Sequence, residues 1–218
     1  MPAWKARFVE WMRDGVHLIV LDNAGTVGIL DSRTMTIATV PDARCDSVCS
    51  GHDDSYFMCF TESQMAKVSL RGVRISVVDV KQLAMPGGPL PLRGLCDVSE
   101  DGGRVLFLAR AKDFYWGRAA RLAPSTAYVY DLRTASTVRA TPPELGLGRA
   151  QWLSGSAIAF TAFEKNPANR KALDDGKVVP YDLYRVEVGA SGGERIAENV
   201  RSFDVVPIED AASPFAKQ

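Results

Sequence analysis

The feature that most constrains this chain is a faint internal repeat. One pattern occurs four times along the 218 residues: a short strand, a tight polar turn, a strongly apolar strand, and then two more strands. Each run is short, rich in β-branched and aromatic residues, and bounded by Gly, Asp, Asn or Ser, as strands are. The apolar second strands of the four units are Leu18–Leu21, Tyr56–Phe60, Val105–Leu108 and Ile158–Phe160.

The same repeat predicts the positions of the other twelve strands. Asp-Gly in the first turn of two units supplies the positive φ angles that a tight hairpin needs. No window combines a 3.6-residue apolar period with helix caps, so we expect little helix. The predicted first strands of the four units are Ala6–Trp11, Asp46–Cys49, Gly94–Val98 and Arg149–Trp152. The predicted third strands are Thr26–Leu30, Gln64–Leu70, Ala127–Tyr130 and Leu183–Val186. The predicted fourth strands are Thr36–Val40, Val73–Val80, Thr137–Ala140 and Glu194–Ala197.

Four-stranded units that recur every roughly 40 to 55 residues are typical of propeller blades. The segments Val98–Phe107 and Trp152–Phe160 resemble the Ser-Pro-Asp-Gly blade motif of TolB-like propellers. The run Tyr128–Thr134 resembles the third strand and following turn of a WD-repeat blade. The resemblance implies an all-β fold, a small β-propeller of about four four-stranded blades, with an irregular β-sandwich as the alternative.

The C-terminal region extends the predicted domain beyond the fourth unit. Arg201–Pro207 is typical of one extra strand, so the propeller-like domain covers residues 1–207. Residues 208–218 are predicted to be a flexible tail. Two arrangements remain open: four blades closed with the extra strand, or an open arc completed by another copy or a partner. The oligomeric state is therefore open as well.

The amino-acid composition indicates which classes of partner and which cellular compartment to expect. The 26 basic and 26 acidic residues balance, which disfavours nucleic acid and membrane surfaces as partners. No apolar run approaches the ~18 residues of a membrane span, and the first residues lack the features of a signal peptide. Cys45, Cys49, Cys59 and Cys96 have mostly apolar neighbours and no metal-knuckle spacing. We therefore expect buried free thiols and a reducing, cytoplasmic location.

The long connections are predicted to lie at one end of the strands. In an up-and-down blade the second turn and the link to the next unit share one end, and the first and third turns share the other. The four long connections all belong to the first group, and irregular loops gathered on a scaffold often carry function. They are Lys81–Arg93, Ala111–Ser125, Thr141–Gly148 and Ala162–Tyr181.

Two of these connections have the composition of a protein-contact surface. Aromatic residues and arginine often carry the binding energy of interfaces. A different interpretation is that Phe114, Tyr115 and Trp116 fold back over a blade edge. The predicted partner-binding residues are Lys112, Phe114, Tyr115, Trp116, Arg118, Arg121, Lys165, Asn166, Arg170 and Lys171.

The candidates for chemistry favour structural roles. Ser50–Ser55 holds a histidine, two carboxylates and two hydroxyls in a single turn, whereas catalytic groups usually converge from separate elements. Two histidines exclude a three-His metal site, and Asp174-Asp175-Gly176 lacks the EF-hand pattern and fits a turn. Trp11 and Trp152 hold equivalent places and are predicted to pack in the interior. We predict no catalytic residue, metal or cofactor.

The leading functional hypothesis is a non-enzymatic protein-binding module that docks a macromolecule on its long-loop face. A scaffold and an immunity-type inhibitor of a toxin are two versions of it. The alternative is an enzyme-associated or hydrolytic propeller that uses carboxylates such as Asp113, Glu164 or Asp174, because similar propellers accompany prolyl-oligopeptidase-like peptidases. The sequence lacks the Gly-x-Ser-x-Gly elbow of such peptidases. Stacking of nucleic acid on Tyr115 and Trp116 is a minor hypothesis.

Overall fold

A computed structural model describes residues 4–83, 85, 92–110, 125–190, 192–201 and 203. The strands of this part of the chain form four antiparallel four-stranded units, here called blades 1 to 4, and the fold is an all-β small propeller. Blade 1 contains β1 (Ala6–Trp11), β2 (His17–Asp22), β3 (Thr26–Asp31) and β4 (Thr36–Arg44). Blade 2 contains β5 (Ser47–Ser50), β6 (Tyr56–Phe60), β7 (Gln64–Ser69) and β8 (Arg74–Asp79).

The second half of the chain repeats this plan. Blade 3 contains β9 (Leu92–Val98), β10 (Arg104–Arg110), β11 (Ser125–Asp131) and β12 (Ser136–Arg139). Blade 4 contains β13 (Leu145–Trp152), β14 (Ala157–Glu164), β15 (Tyr181–Glu187) and β16 (Glu194–Val200). A pairing of Ser125 with Leu147 joins the two blades. All sixteen predicted strands are confirmed, and a short helix α1 (Pro167–Asp174) and a 3-10 helix (Val80–Leu83) were not predicted.

Alternating side chains of the second strands in blades 2 and 3 fill two junctions between blades. Successive residues of a strand point to opposite faces of its sheet. In β6, Phe57 packs toward blade 1 in a cluster with Ile19, whereas the neighbouring Tyr56 packs toward blade 3 in a cluster with Phe107. In β10, Leu106 packs toward blade 4. The central residues of the second strands are therefore almost continuously apolar, which is the pattern that the sequence repeat showed.

The junction between blade 4 and blade 1 is different. None of the apolar clusters among the described residues includes both blades. On blade 1 the free face is covered in part by Trp4, which lies over Gly28. A Cβ atom at Gly28 would come within 2.9 Å of the Trp4 ring and 2.7 Å of Ile37 Cγ2, so this face tolerates no side chain at that position. Blades 1 and 4 instead face each other across a cavity at the propeller axis.

The prediction of free thiols is wrong. Cys45 is bonded to Cys59 and Cys49 to Cys96, with Cα–Cα distances of 5.4 Å and 5.7 Å. Cys49 and Cys96 lie on the first strands of consecutive blades, so the fold brings together residues that are 47 positions apart in the chain. Cysteine spacing alone does not reveal that proximity. The cytoplasmic location that rested on free thiols loses this support.

Two other expectations concern the ends of the fold and the membrane. Of the predicted extra strand and tail, only Arg201 and Phe203 belong to the described part of the chain, and the rest lies outside it. Phe203 packs under the Arg149 guanidinium, 5.8 Å from its carbon to the ring centre. No helix in the described part is long and apolar enough to cross a membrane.

Replacing Cys49 and Cys96 together by alanine should lower the free energy of unfolding by roughly 4 kcal/mol, because this bond closes a long loop. Replacing Cys45 and Cys59, which are 14 residues apart, should cost less, about 3 kcal/mol. Urea unfolding under non-reducing conditions measures both. An equal or reversed order of the two losses would contradict the assignment of the longer loop to Cys49–Cys96.

Candidate functional site

Two of the four predicted connections contact each other at one end of the blades, and most of the other two, Lys81–Arg93 and Ala111–Ser125, lies outside the described residues. The connection from β14 to β15 touches the link from β12 to β13 through two hydrogen bonds of Lys165. Its backbone N–H donates to the Glu144 carbonyl at 2.8 Å, and its Nζ donates to the Pro143 carbonyl at 2.9 Å. Lys165, one of the predicted contact residues, therefore holds two loops together.

Helix α1 organises the longer of these connections. The Asn166 side chain caps it by accepting a hydrogen bond from Asn169 N–H at 2.8 Å, and Pro167 occupies the first turn, where its missing N–H costs nothing. Leu173 anchors the helix against Phe163. Asn166 is thus a structural cap. The Asn-Pro pair is the helix-start signal that the sequence prediction missed.

The exposed side of α1 presents cations beside an apolar residue. Arg170 and Lys171 are exposed, and Val178 in the following loop is 91% exposed. Lys171 Nζ lies 2.9 Å from Asp175 Oδ2, which lowers the pKa of that carboxyl. Asp175 and Gly176 form the turn that the sequence predicted, with Gly176 at φ +73°. The other predicted contact residues, Lys112, Phe114, Tyr115, Trp116, Arg118 and Arg121, lie outside the described residues.

The carboxylates proposed for catalysis at this end do not converge. Glu164 and Asp174 are both exposed, and Asp113 lies outside the described residues. Within the described part of the chain, no group of three or more His, Cys, Asp or Glu side chains could hold a metal ion. The Ser50–Ser55 segment is a hairpin turn, as predicted, closed by a hydrogen bond from Gly51 N–H to the Tyr56 carbonyl at 2.9 Å.

A cavity of about 930 Å³ lies at the other end of the axis. Its walls are the first strands of blades 1, 3 and 4 and the tight turns that follow them. The sequence prediction missed it because each wall comes from a different repeat unit, and the units approach one another only in the folded protein. The chemically distinctive residues in its lining are Glu10, Trp11, Arg13, Asp97, Arg149 and Trp152.

Polar side chains in this cavity connect the blades. Glu10 of blade 1 accepts hydrogen bonds from Ser50 N–H and Oγ–H of blade 2, at 3.0 Å and 3.2 Å. Asp97 of blade 3 accepts one from Trp152 N–H of blade 4 at 2.8 Å. Arg13 of blade 1 donates to the Val98 carbonyl of blade 3 at 2.8 Å. These bonds join blades near the axis, where the apolar clusters end.

Burial changes the acidity of both carboxyl groups. It raises the pKa of Glu10 to about 7, and the nearby Asp97 charge adds to this effect, while the bonds from Ser50 oppose it. Burial also raises the pKa of Asp97, opposed by the bond from Trp152 and by Arg13. Glu10 therefore exchanges its proton close to neutral pH.

The prediction that Trp11 and Trp152 both pack in the interior is half right. Trp152 is 8% exposed and belongs to the cluster between blades 3 and 4. Trp11 is 56% exposed at the cavity, and this part of the prediction is wrong. Trp152 packs against blade 3, whereas on the corresponding side of blade 1 blade 4 lies across the cavity.

Comparison with known proteins supports the fold. The sequence matches no protein-family model and no curated protein. Among solved structures, the protein assigned as TolB from Agrobacterium tumefaciens matches with a TM-score of 0.60 and 16% identity, covering 87% of this chain and 60% of that one. The β-propeller domain of Cps50 (Swd1) from Myceliophteria thermophila gives 0.57 and 14%, covering 92% and 58%.

TolB from Acinetobacter baumannii matches with a TM-score of 0.53 and 20% identity, covering 83% of this chain and 40% of that one. The resemblance to TolB-like and WD-repeat propellers is thus confirmed for the fold. Identities this low say nothing of activity. The chain spans less than two thirds of each of these proteins.

Replacing Glu10 by glutamine should change how stability depends on pH. The pKa of Glu10 is 4.5 in the unfolded chain and about 7 in the folded chain. Between these two values Glu10 is ionised when the chain is unfolded and protonated when it is folded. Its contribution to the free energy of unfolding therefore falls as pH rises. The glutamine variant cannot ionise at this position, so it does not lose stability in this way as pH rises. Relative to the wild type, its free energy of unfolding should rise by on the order of 3 kcal/mol between pH 4 and pH 8.

Urea unfolding at the two pH values measures this difference, and Glu62→Gln, at an exposed position, is the control. A difference between Glu10→Gln and the wild type that stays constant with pH would show that Glu10 is not a buried titrating group.

Proposed function

We propose that this chain is a non-enzymatic protein-binding module that docks a macromolecular partner on its long-loop end. The observation that carries the proposal is the contact there between the β14–β15 connection and the β12–β13 link, beside which Arg170, Lys171 and Val178 are exposed. Rigid loops that present exposed cations beside apolar side chains are typical of protein interfaces. The partner that suits this surface carries acidic groups around an apolar patch.

The finer proposal is a scaffold or an immunity-type inhibitor that covers its partner. The balanced overall charge supports a protein partner over nucleic acid. The two disulfides support an oxidising compartment as the working location, in place of the reducing cytoplasm expected from sequence, because such bonds persist mainly outside reducing compartments.

A second candidate function is an enzymatic or enzyme-associated propeller. One observation favours it: a carboxyl group, Glu10, with a pKa near 7 in a cavity that also holds Asp97. Both carboxylates accept hydrogen bonds from neighbouring blades, which suits a structural role better. Turnover of a small molecule that Glu10→Gln abolishes would favour this candidate.

Reversing the charge of Arg170 and Lys171 together, by substitution with glutamate, should weaken partner binding about tenfold or more, equivalent to roughly 1.4 kcal/mol. The partner is first captured from native extract with the tagged protein, and its affinity is then measured by calorimetry. Arg33→Glu with Arg133→Glu is the matched control, because both residues are exposed in turns at the opposite end.

The predicted aromatic loop is tested in the same assay by replacing Trp116 and Arg118 with alanine. If both long-loop variants bind the partner like the wild type while the control pair weakens binding, docking takes place at the other end and the proposal fails. A folded protein that captures no stoichiometric partner and turns over a small molecule would also overturn it.

A further inference from the structure

The two disulfides differ in their access to solvent. Cys45 and Cys59 are 3% and 5% exposed and lie within the cluster between blades 1 and 2. In the other bond, Cys49 is 1% exposed, but Cys96 is only partly buried and lines the axial cavity. One residue of the bond between blades 2 and 3 therefore contacts this cavity.

Exchange of a disulfide requires a thiolate to reach one of its sulfur atoms. A cavity of about 930 Å³ is at the upper end of the size of small-molecule sites, so it admits a low-molecular-weight thiol or the cysteine of a narrow loop. Arg13 and Arg149 line the same cavity and favour an anionic thiolate, whereas Asp97, next to Cys96, opposes it. Neither Cys45 nor Cys59 lines this cavity.

We propose that Cys96 is a thiol–disulfide exchange site that takes a thiol through the axial cavity. The incoming thiolate bonds to the Cys96 sulfur, the Cys96–Cys49 bond breaks, and the electron pair leaves on the Cys49 sulfur, which then takes a proton. The products are a mixed disulfide at Cys96 and a thiol at Cys49. Cys49 remains beneath Cys96 and can attack the mixed disulfide, which expels the thiol and restores the original bond.

This exchange would act on the junction between blades 2 and 3. Cys49 lies on β5 and Cys96 on β9, the first strands of those blades, so the bond fixes their separation near the axis. The apolar cluster of Tyr56, Phe60 and Phe107 stays in place when the bond opens. The exchanged protein should therefore remain folded but unfold at a lower temperature.

The test treats the folded, oxidised protein with reduced glutathione at mildly alkaline pH. Remaining free thiols are blocked with iodoacetamide, and peptide mapping by mass spectrometry reads each cysteine. Glutathione should appear on Cys96 and the alkyl group on Cys49, about tenfold faster or more than any label on Cys45 or Cys59. Equal labelling of both pairs, earlier labelling of Cys45 and Cys59, or no labelling before unfolding would each overturn the proposal.

Two single-residue variants test how easily a reagent reaches each thiol, without any contribution from the strength of the disulfide. Cys49→Ser leaves the Cys96 thiol at the cavity, and Cys59→Ser leaves the Cys45 thiol in the interior. Iodoacetamide should modify Cys96 in the first folded variant much faster than Cys45 in the second, and circular dichroism confirms that each variant is folded. Equal rates in folded variants would contradict the proposed entry through the cavity. If a variant does not fold, the wild-type reaction alone decides.

Discussion

The fold depends on the use of both faces of the second strand in each interior blade. Tyr56 and Phe57 are consecutive, yet they pack into different junctions because strand side chains alternate. At roughly 25 cal/mol per Å² of apolar surface, burial on both faces is the main favourable term of such a sheet. Neighbouring junctions thus share the second strand of the blade between them. Each blade is therefore stabilised by packing against the next one, as units of a repeat protein are.

Among the described residues, apolar packing between blades ends at blades 1 and 4. Near the axis the blades are joined by polar contacts instead. Trp4 covers part of the free face of blade 1. Glu10 and Asp97 accept hydrogen bonds from neighbouring blades, and Arg13 of blade 1 donates one to blade 3. The cavity that remains combines a carboxyl group that titrates near neutrality with one end of a disulfide. The long-loop end, which carries the proposed docking surface, is built separately at the other pole of the strands.

Strand positions could be predicted from the sequence because hydrophobic alternation and turn residues are local signals. The same holds for the turns at Asp14-Gly15 and Asp101-Gly102, where Gly15 and Gly102 have positive φ. The axial site could not be predicted, because Glu10, Asp97 and Trp152 meet only when separate repeat units close around the axis. The Cys49–Cys96 bond was not predicted for the same reason, because these residues, 47 positions apart, meet only when blades 2 and 3 pack together.

The central claim is that blades 2 and 3 lie between filled junctions, whereas none of the apolar clusters among the described residues joins blade 1 to blade 4. Native-state hydrogen exchange, resolved by residue with NMR, compares two equivalent first strands most directly. The buried amides of β5 should exchange far more slowly than those of the largely exposed β1. Equal protection of β1 and β5 would mean that blade 1 is packed on both sides, which contradicts this description of the fold.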